Sequence, residues 1–156
     1  MTSTAPRPLF IYGTLCAKPL LAWAMTGSAE NVSQVEPLLQ PAKVVGYKRV
    51  AVLGCDYPAV IQDEKSVVEG YFLRPRTTSE RKKLDDFEGE VYKPVVVAVE
   101  IQTASTLEHA TADMYVWDSD MDKLSAEPWD LQEFIKTRLD DWIDLFDGME
   151  MVGDDE

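Results

Sequence analysis

Cysteine, histidine and positive charge are scarce in this chain of 156 residues, and each shortage removes a class of chemistry. Two cysteines, Cys16 and Cys55, cannot build a disulfide scaffold for a domain of this length, so reduced thiols are expected. One histidine, His109, and the lack of any Cys-x-x-Cys pair leave no set of soft ligands for zinc. Any chemistry then falls to carboxylates, hydroxyls and the backbone. With 15 basic against 28 acidic residues the formal net charge is −13, which argues against nucleic acid or an anionic membrane as a partner. No apolar run approaches the roughly 18 residues that a membrane span needs. The opening Met1-Thr2-Ser3-Thr4-Ala5-Pro6-Arg7 does not lead from basic residues into an apolar stretch, and a cytoplasmic protein is the expectation.

What is present is a core. Apolar residues make up 46% of the chain, enough for one ordinary folded unit and too short a chain for two. The acidity is uneven: Asp118 to Glu156 holds 14 acids and 3 bases, net −11, leaving the first 117 residues at −2. Most of the charge therefore belongs to the C-terminal stretch.

Pro8-Leu9-Phe10-Ile11-Tyr12 has the pattern of a short buried strand, broken at Gly13. Gly13-Thr14-Leu15-Cys16 leads into a helix over Leu20 to Met25, with Pro19 near its start and Gly27 after its end. Runs rich in β-branched residues predict strands at Val44 to Leu53, Ala59 to Ile61, Ser66 to Leu73, Val95 to Ile101 and Ala112 to Trp117, with a turn at Gly54-Cys55-Asp56 and a bulge at Gly70. Thr77-x-x-Glu80 has capping-box spacing ahead of a helix from Arg81 to Phe87, stopped by Gly89. One last amphipathic helix, from about Pro128 or Asp130, sets Leu131, Phe134, Ile135, Leu139, Trp142, Leu145 and Phe146 on a single apolar stripe. The expected fold is α+β: a small mixed β-barrel of about six strands with flanking helices. Ala29 to Pro41 is long enough for a lid or a variable loop.

Two places carry candidate chemistry. At Tyr12-Gly13-Thr14-Leu15 a glycine lets backbone approach a ligand, and amides between a strand end and a helix start can hold a carboxylate; a plain connecting turn accounts for the same residues. Asp85-Asp86-Phe87-Glu88-Gly89-Glu90 gathers acids at a helix C-terminus, where unpaired carbonyls repel them. A solvated turn accounts for Asp85, Asp86 and Glu90. Glu88, between Phe87 and Gly89, either shares that solvation or is aimed inward, where desolvation would raise its pKa toward the range useful for proton transfer.

Phe10-Ile11-Tyr12-Gly13-Thr14-Leu15, Tyr57-Pro58-Ala59-Val60, Val68-Glu69-Gly70-Tyr71, Leu84 to Tyr92 and Met114-Tyr115-Val116-Trp117 stand in the order found in the gamma-glutamylcyclotransferase-like superfamily. The chain most resembles the avirulence-induced-gene-two-like branch, over about residues 8 to 146. The resemblance implies one domain over those residues, with 1–7 and 147–156 as flexible ends. It implies a barrel with a cavity at one end, lined by Tyr12 to Leu15 and an essential glutamate, here Glu88. The activity implied is release of 5-oxoproline and a free amine from a gamma-glutamyl amide, with no metal and no cofactor, on a small-molecule substrate. The backbone of Gly13, Thr14 and Leu15 would then hold the substrate's carboxylate without help from an arginine, and Tyr12, Tyr92 and Tyr115 become candidate wall residues. A related cyclase or lyase acting on another amine, and a binding module without turnover, remain alternatives. The loop reads Tyr-Gly-Thr-Leu, without the asparagine typical of the enzymes acting on glutathione and gamma-glutamyl amino acids, which leaves the substrate open.

Overall fold

The computed structural model describes residues 7–88, 92–103, 105–125 and 127–147, with the side chains at 86–88 and 145–147 outside the description. Five strands close into one barrel: β1 (Leu9–Ile11), β2 (Leu39–Ala51), β3 (Pro58–Leu73), β4 (Tyr92–Gln102) and β5 (Leu107–Trp117), in the spatial order β1-β3-β2-β4-β5. Every pairing is antiparallel except the one that seals the barrel, β1 beside β5 at Leu9↔Asp113. Five helices accompany them among the described residues: α1 (Lys18–Thr26), α2 (Val32–Val35), α3 (Thr78–Glu88), α4 (Leu131–Thr137) and α5 (Leu139–Asp147).

The barrel has five strands where about six are expected, because Ala59 to Ile61 and Ser66 to Leu73 belong to one strand. Against β2, Gln62 pairs with Tyr47 and Val67 with Val45, so residues 63–66 oppose Gly46 alone. Asp63 stabilises that excursion by accepting from the Lys65 amide at 3.1 Å and the Ser66 hydroxyl at 3.1 Å. The irregularity therefore sits opposite Gly46, whose φ is +95°, and not at Gly70, which pairs regularly with Ala42.

β1 is buried along its whole length because it is covered on both faces. Phe10 points into the barrel with Val44, Val60, Phe72, Val99 and Met114; Leu9 and Ile11 point out, under α1 and α3, with Leu21, Trp23, Leu73 and Leu84. Burial of so many large apolar side chains is the main force holding helices to barrel. Ala29 to Pro41 is no open loop, since Val35 of α2 is fully buried against α1.

The expected single C-terminal helix is two. Asp130 caps α4 by accepting from the Gln132 and Glu133 amides, and the chain breaks at Arg138 before α5. The break has a cause: Arg138 Nε and Trp142 Nε1 both donate to Asp56 Oδ2, at 3.0 and 2.8 Å, and Trp129 Nε1 donates to the Asp56 carbonyl at 2.7 Å. Wrapping three side chains around one residue of the β2–β3 turn requires the bend. Leu145 and Phe146, expected on the apolar stripe, have side chains outside the described residues, as do the tails 1–6 and 148–156. Arg7 is tied down through its bonds to Asp113. His109 lies exposed in β5 opposite Glu100. No described helix is long and apolar enough to cross a membrane.

Candidate functional site

A small cleft opens at one end of the barrel, where β1 finishes and β3 and β4 begin, lined by Phe10, Ile11, Tyr12, Gly13, Thr14, Tyr57, Pro58, Tyr92 and Tyr115. Five of the seven predicted site residues thus meet around one space. Leu15 does not line it; its side chain is 1% exposed in the core beneath α1. Glu88 closes α3, and its side chain lies outside the described residues. Among the described residues no group of three acids, histidines or cysteines is placed to hold a metal ion.

The turn at the cleft is tightly built. Cys16 N and Ala17 N donate to the Gly13 and Thr14 carbonyls at 2.9 and 3.0 Å, a single tight helical turn that leaves the Thr14 and Leu15 amides at its open end. The Cys16 thiol donates to the Ile11 carbonyl at 3.4 Å. Gly13 packs close to Pro58: a Cβ there would stand 3.0 Å from Pro58 Cγ, so the proline ring would have to give by a few tenths of an ångström.

The tyrosines are oriented by fixed acceptors. Tyr12 donates its hydroxyl proton to the Tyr115 carbonyl at 2.5 Å, and Tyr92 donates to the Pro58 carbonyl at 2.6 Å. Tyr92 also meets Tyr57 and Trp117 edge to face, with centroids 6.4 and 5.7 Å apart. The Tyr57 hydroxyl bonds the Cys55 thiol, and that bond, followed by burial, pushes its pKa up to about 12. Tyr115 donates to Asp85 of α3. This pair belongs to a chain of charges: Arg81 joins Asp85 through Nε at 2.9 Å and Asp113 through Nη2 at 2.9 Å, and Asp113, 6% exposed, also holds Arg7. The register follows from element geometry. Four residues of helix rise about 6 Å, and two residues of strand about 6.7 Å, so Arg81 and Asp85 fall opposite Asp113 and Tyr115.

Asp85 is exposed, as expected, and pairs with Arg81 and Tyr115 as well, whereas Glu90 and the Asp86 side chain lie outside the description. The i,i+4 spacing of Arg81 and Asp85 is the sequence signal that would have found the ion pair. At the other end of the helix the capping box is half made: Thr77 Oγ1 accepts from the Glu80 amide at 3.1 Å, but the Glu80 carboxylate turns to the Arg76 amide at 2.6 Å. Arg49, Tyr57 and Pro58 reach the site without having been assigned to it. Arg49 Nη1 donates to the Tyr12 carbonyl at 2.7 Å, directly behind the turn.

The sequence matches a family model described as gamma-glutamyl cyclotransferase, AIG2-like, over residues 9–132. The chain belongs to that family. It is similar to AIG2-like protein C of Arabidopsis thaliana, 27% identical over 143 residues that cover 92% of this chain and 77% of that protein. It is also similar to AIG2-like protein B of the same plant, 26% identical over 138 residues, 88% of this chain and 74% of that one. The solution structure of At5g39720.1 from Arabidopsis thaliana superposes with a TM-score of 0.62 at 24% identity, covering 93% of this chain and 91% of that one. A likeness of that degree establishes the shared fold. The cleft of this AIG2-like chain sits at the end of that shared barrel where β1 delivers its turn.

Proposed function

We propose that this protein is a gamma-glutamylcyclotransferase-type enzyme that cleaves a gamma-glutamyl amide by attack of the substrate's own α-amine, releasing 5-oxoproline and a free amine. The reading is carried by one observation: the helix whose Asp85 takes the Tyr115 hydroxyl at the cleft runs on to end at Glu88, three residues further along. Membership of the AIG2-like family supports it.

In the proposed reaction the α-ammonium first gives a proton to the Glu88 carboxylate. The freed nitrogen attacks the side-chain carbonyl carbon, closing a five-membered ring. The bond from that carbon to the amide nitrogen then breaks as the proton held by Glu88 passes to the departing amine, and the freed carboxylate takes the second proton from the ring nitrogen and hands it on, so that the amine leaves as an ammonium ion. Atoms and charge balance without a covalent enzyme intermediate. Because nucleophile and electrophile belong to one molecule, the protein's task is largely to fold the substrate and exclude water, which an aromatic cleft suits. The turn amides hold the α-carboxylate, and Tyr12, Tyr92 and Tyr115 form the walls.

The test is incubation of the purified protein with a panel of gamma-glutamyl amines and gamma-glutamyl amino acids, with 5-oxoproline scored by mass spectrometry. Glu88→Gln is expected to abolish product while leaving the thermal midpoint nearly unchanged. Full activity in that variant removes Glu88 from the mechanism. No product from any member of the panel with the parent protein replaces the enzyme reading with a binding module.

A further inference from the structure

Among the described residues, Arg49 is a cation without an acid. In a protein with 28 acidic residues, no carboxylate among the described residues pairs with its guanidinium. Its Nη1 instead donates to two backbone carbonyls, Tyr12 at 2.7 Å and Glu69 at 3.2 Å, and its Cζ lies 5.6 Å from the centroid of the Trp129 ring. Trp129 is 9% exposed and is itself pinned to the Asp56 carbonyl. The head of Arg49 is thus held by β1, β3 and the segment before α4 together, half-buried, with its charge unneutralised.

The consequence lies across one peptide bond. The carbonyl that Arg49 engages belongs to the Tyr12–Gly13 peptide, which is trans, so the Gly13 N–H points away from the guanidinium. A cationic donor on the carbonyl withdraws electron density through the amide and makes that N–H a stronger donor. Gly13 lines the cleft, and no described lining residue carries a charged side chain. Arg49 thus places a fixed positive charge directly behind the turn, and the group it favours in the cleft is an anion.

We propose that Arg49 is the positioning residue for the substrate's carboxylate: it locks the Tyr12–Gly13 peptide with its N–H directed away from β2 and supplies the positive potential that a carboxylate on the turn amides requires. This rests on the proposed cyclotransferase reading for the identity of the anion, the α-carboxylate that substrate and 5-oxoproline share. It replaces the expectation that the amides act without an arginine.

The probe is 5-oxoproline, titrated into the whole protein while the amide resonances of Gly13 and Thr14 are followed by NMR, with the primary amide of 5-oxoproline as the uncharged comparison. In the parent protein 5-oxoproline moves both resonances and the primary amide binds much more weakly. Arg49→Met, which keeps an apolar stem against Trp129, weakens 5-oxoproline binding about tenfold or more, as loss of a charge-assisted contact predicts. It leaves the weak binding of the primary amide unchanged, a selectivity that general damage to the fold would not produce. Arg49→Lys, which keeps the charge but loses the planar fork, falls between. With turnover substrates the Arg49→Met effect appears in KM more than in kcat. Equal binding of 5-oxoproline by parent and Arg49→Met overturns the proposal, as does a parent protein whose Gly13 and Thr14 resonances stay still at saturation. A parent that binds 5-oxoproline through Arg49 yet releases none from any gamma-glutamyl compound leaves this inference standing and removes the catalytic one.

Discussion

Replacing Gly70 with alanine tests how the barrel is closed and how the cleft is anchored to it. A Cβ at Gly70 would stand 2.1 Å from the Ile11 carbonyl oxygen and 3.1 Å from both Ile11 C and Phe10 Cζ. Non-bonded heavy atoms settle about 3.5 Å apart or more, and the atom in the way is backbone, so no side-chain rotation relieves the overlap. β1 has three residues, each at most 3% exposed, and it must move as a unit or give up part of its pairing with Tyr71 to Leu73. Overpacking of a rigid site costs about 1–3 kcal/mol, and loosening Phe10 and Ile11 from two cores places this case at about 3 kcal/mol. For a domain of this size each kcal/mol lowers the midpoint by about 2–4 °C, so a fall of about 6–12 °C is expected by calorimetry. Gly54→Ala is the matched comparison. Nothing lies within 4 Å of its Cβ position, and its cost is the left-handed φ of +72°, about 1 kcal/mol. If Gly70→Ala loses no more stability than Gly54→Ala, the close approach of β3 to the end of β1 does not constrain the fold, and the account of the cleft's support fails with it.

Two further outcomes follow from the β2–β3 turn. Asp56→Ala removes the Oδ2 acceptor from the half-buried Trp142 indole and leaves Arg138 with Asp141 as its ion-pair partner; the exposed ion pair adds little, so the expected loss is about 2 kcal/mol, read in urea titration, with faster amide exchange in α5 than in the parent protein. Exchange in α5 equal to the parent's would show that Asp56 does not bind the last helix to the barrel. Tyr57 ionises near pH 12 in the folded protein against about 10 in the unfolded chain, chiefly through its bond to Cys55. A raised folded pKa stabilises while the hydroxyl keeps its proton, so the contribution is full below pH 10 and disappears as pH rises through 12. Tyrosinate absorbance in Cys55→Ala should show one tyrosine titrating earlier than in the parent, and an unchanged curve would remove Cys55 as the cause.

Local signals along the chain made the strand, turn and first helix legible: β-branched and aromatic residues before Gly13, Pro19 at the start of α1, and Gly27 at its end, where φ is +90° and the amide closes on the Trp23 carbonyl. Where reading along the chain stopped short, the deciding partner was distant. Asp63 to Ser66 has the composition of a turn, and as a four-residue excursion it behaves like one, but only pairing with β2 on both sides shows that one strand continues through it. Apolar periodicity runs straight across Arg138, and the helix breaks there because Asp56, 82 residues earlier, takes the guanidinium. Asp85 stays exposed, as its surroundings suggest, and only the fold brings Tyr115, thirty residues on, to donate to it. Arg49 is the most instructive case. An arginine in an alternating strand reads as solvent-facing, and nothing nearby in the chain distinguishes a cation that has acids within reach from one that has none. The distinction exists only after β2 has been laid behind the end of β1, and it separates a turn that merely connects two elements from one whose amide is held under positive charge at the edge of a cleft.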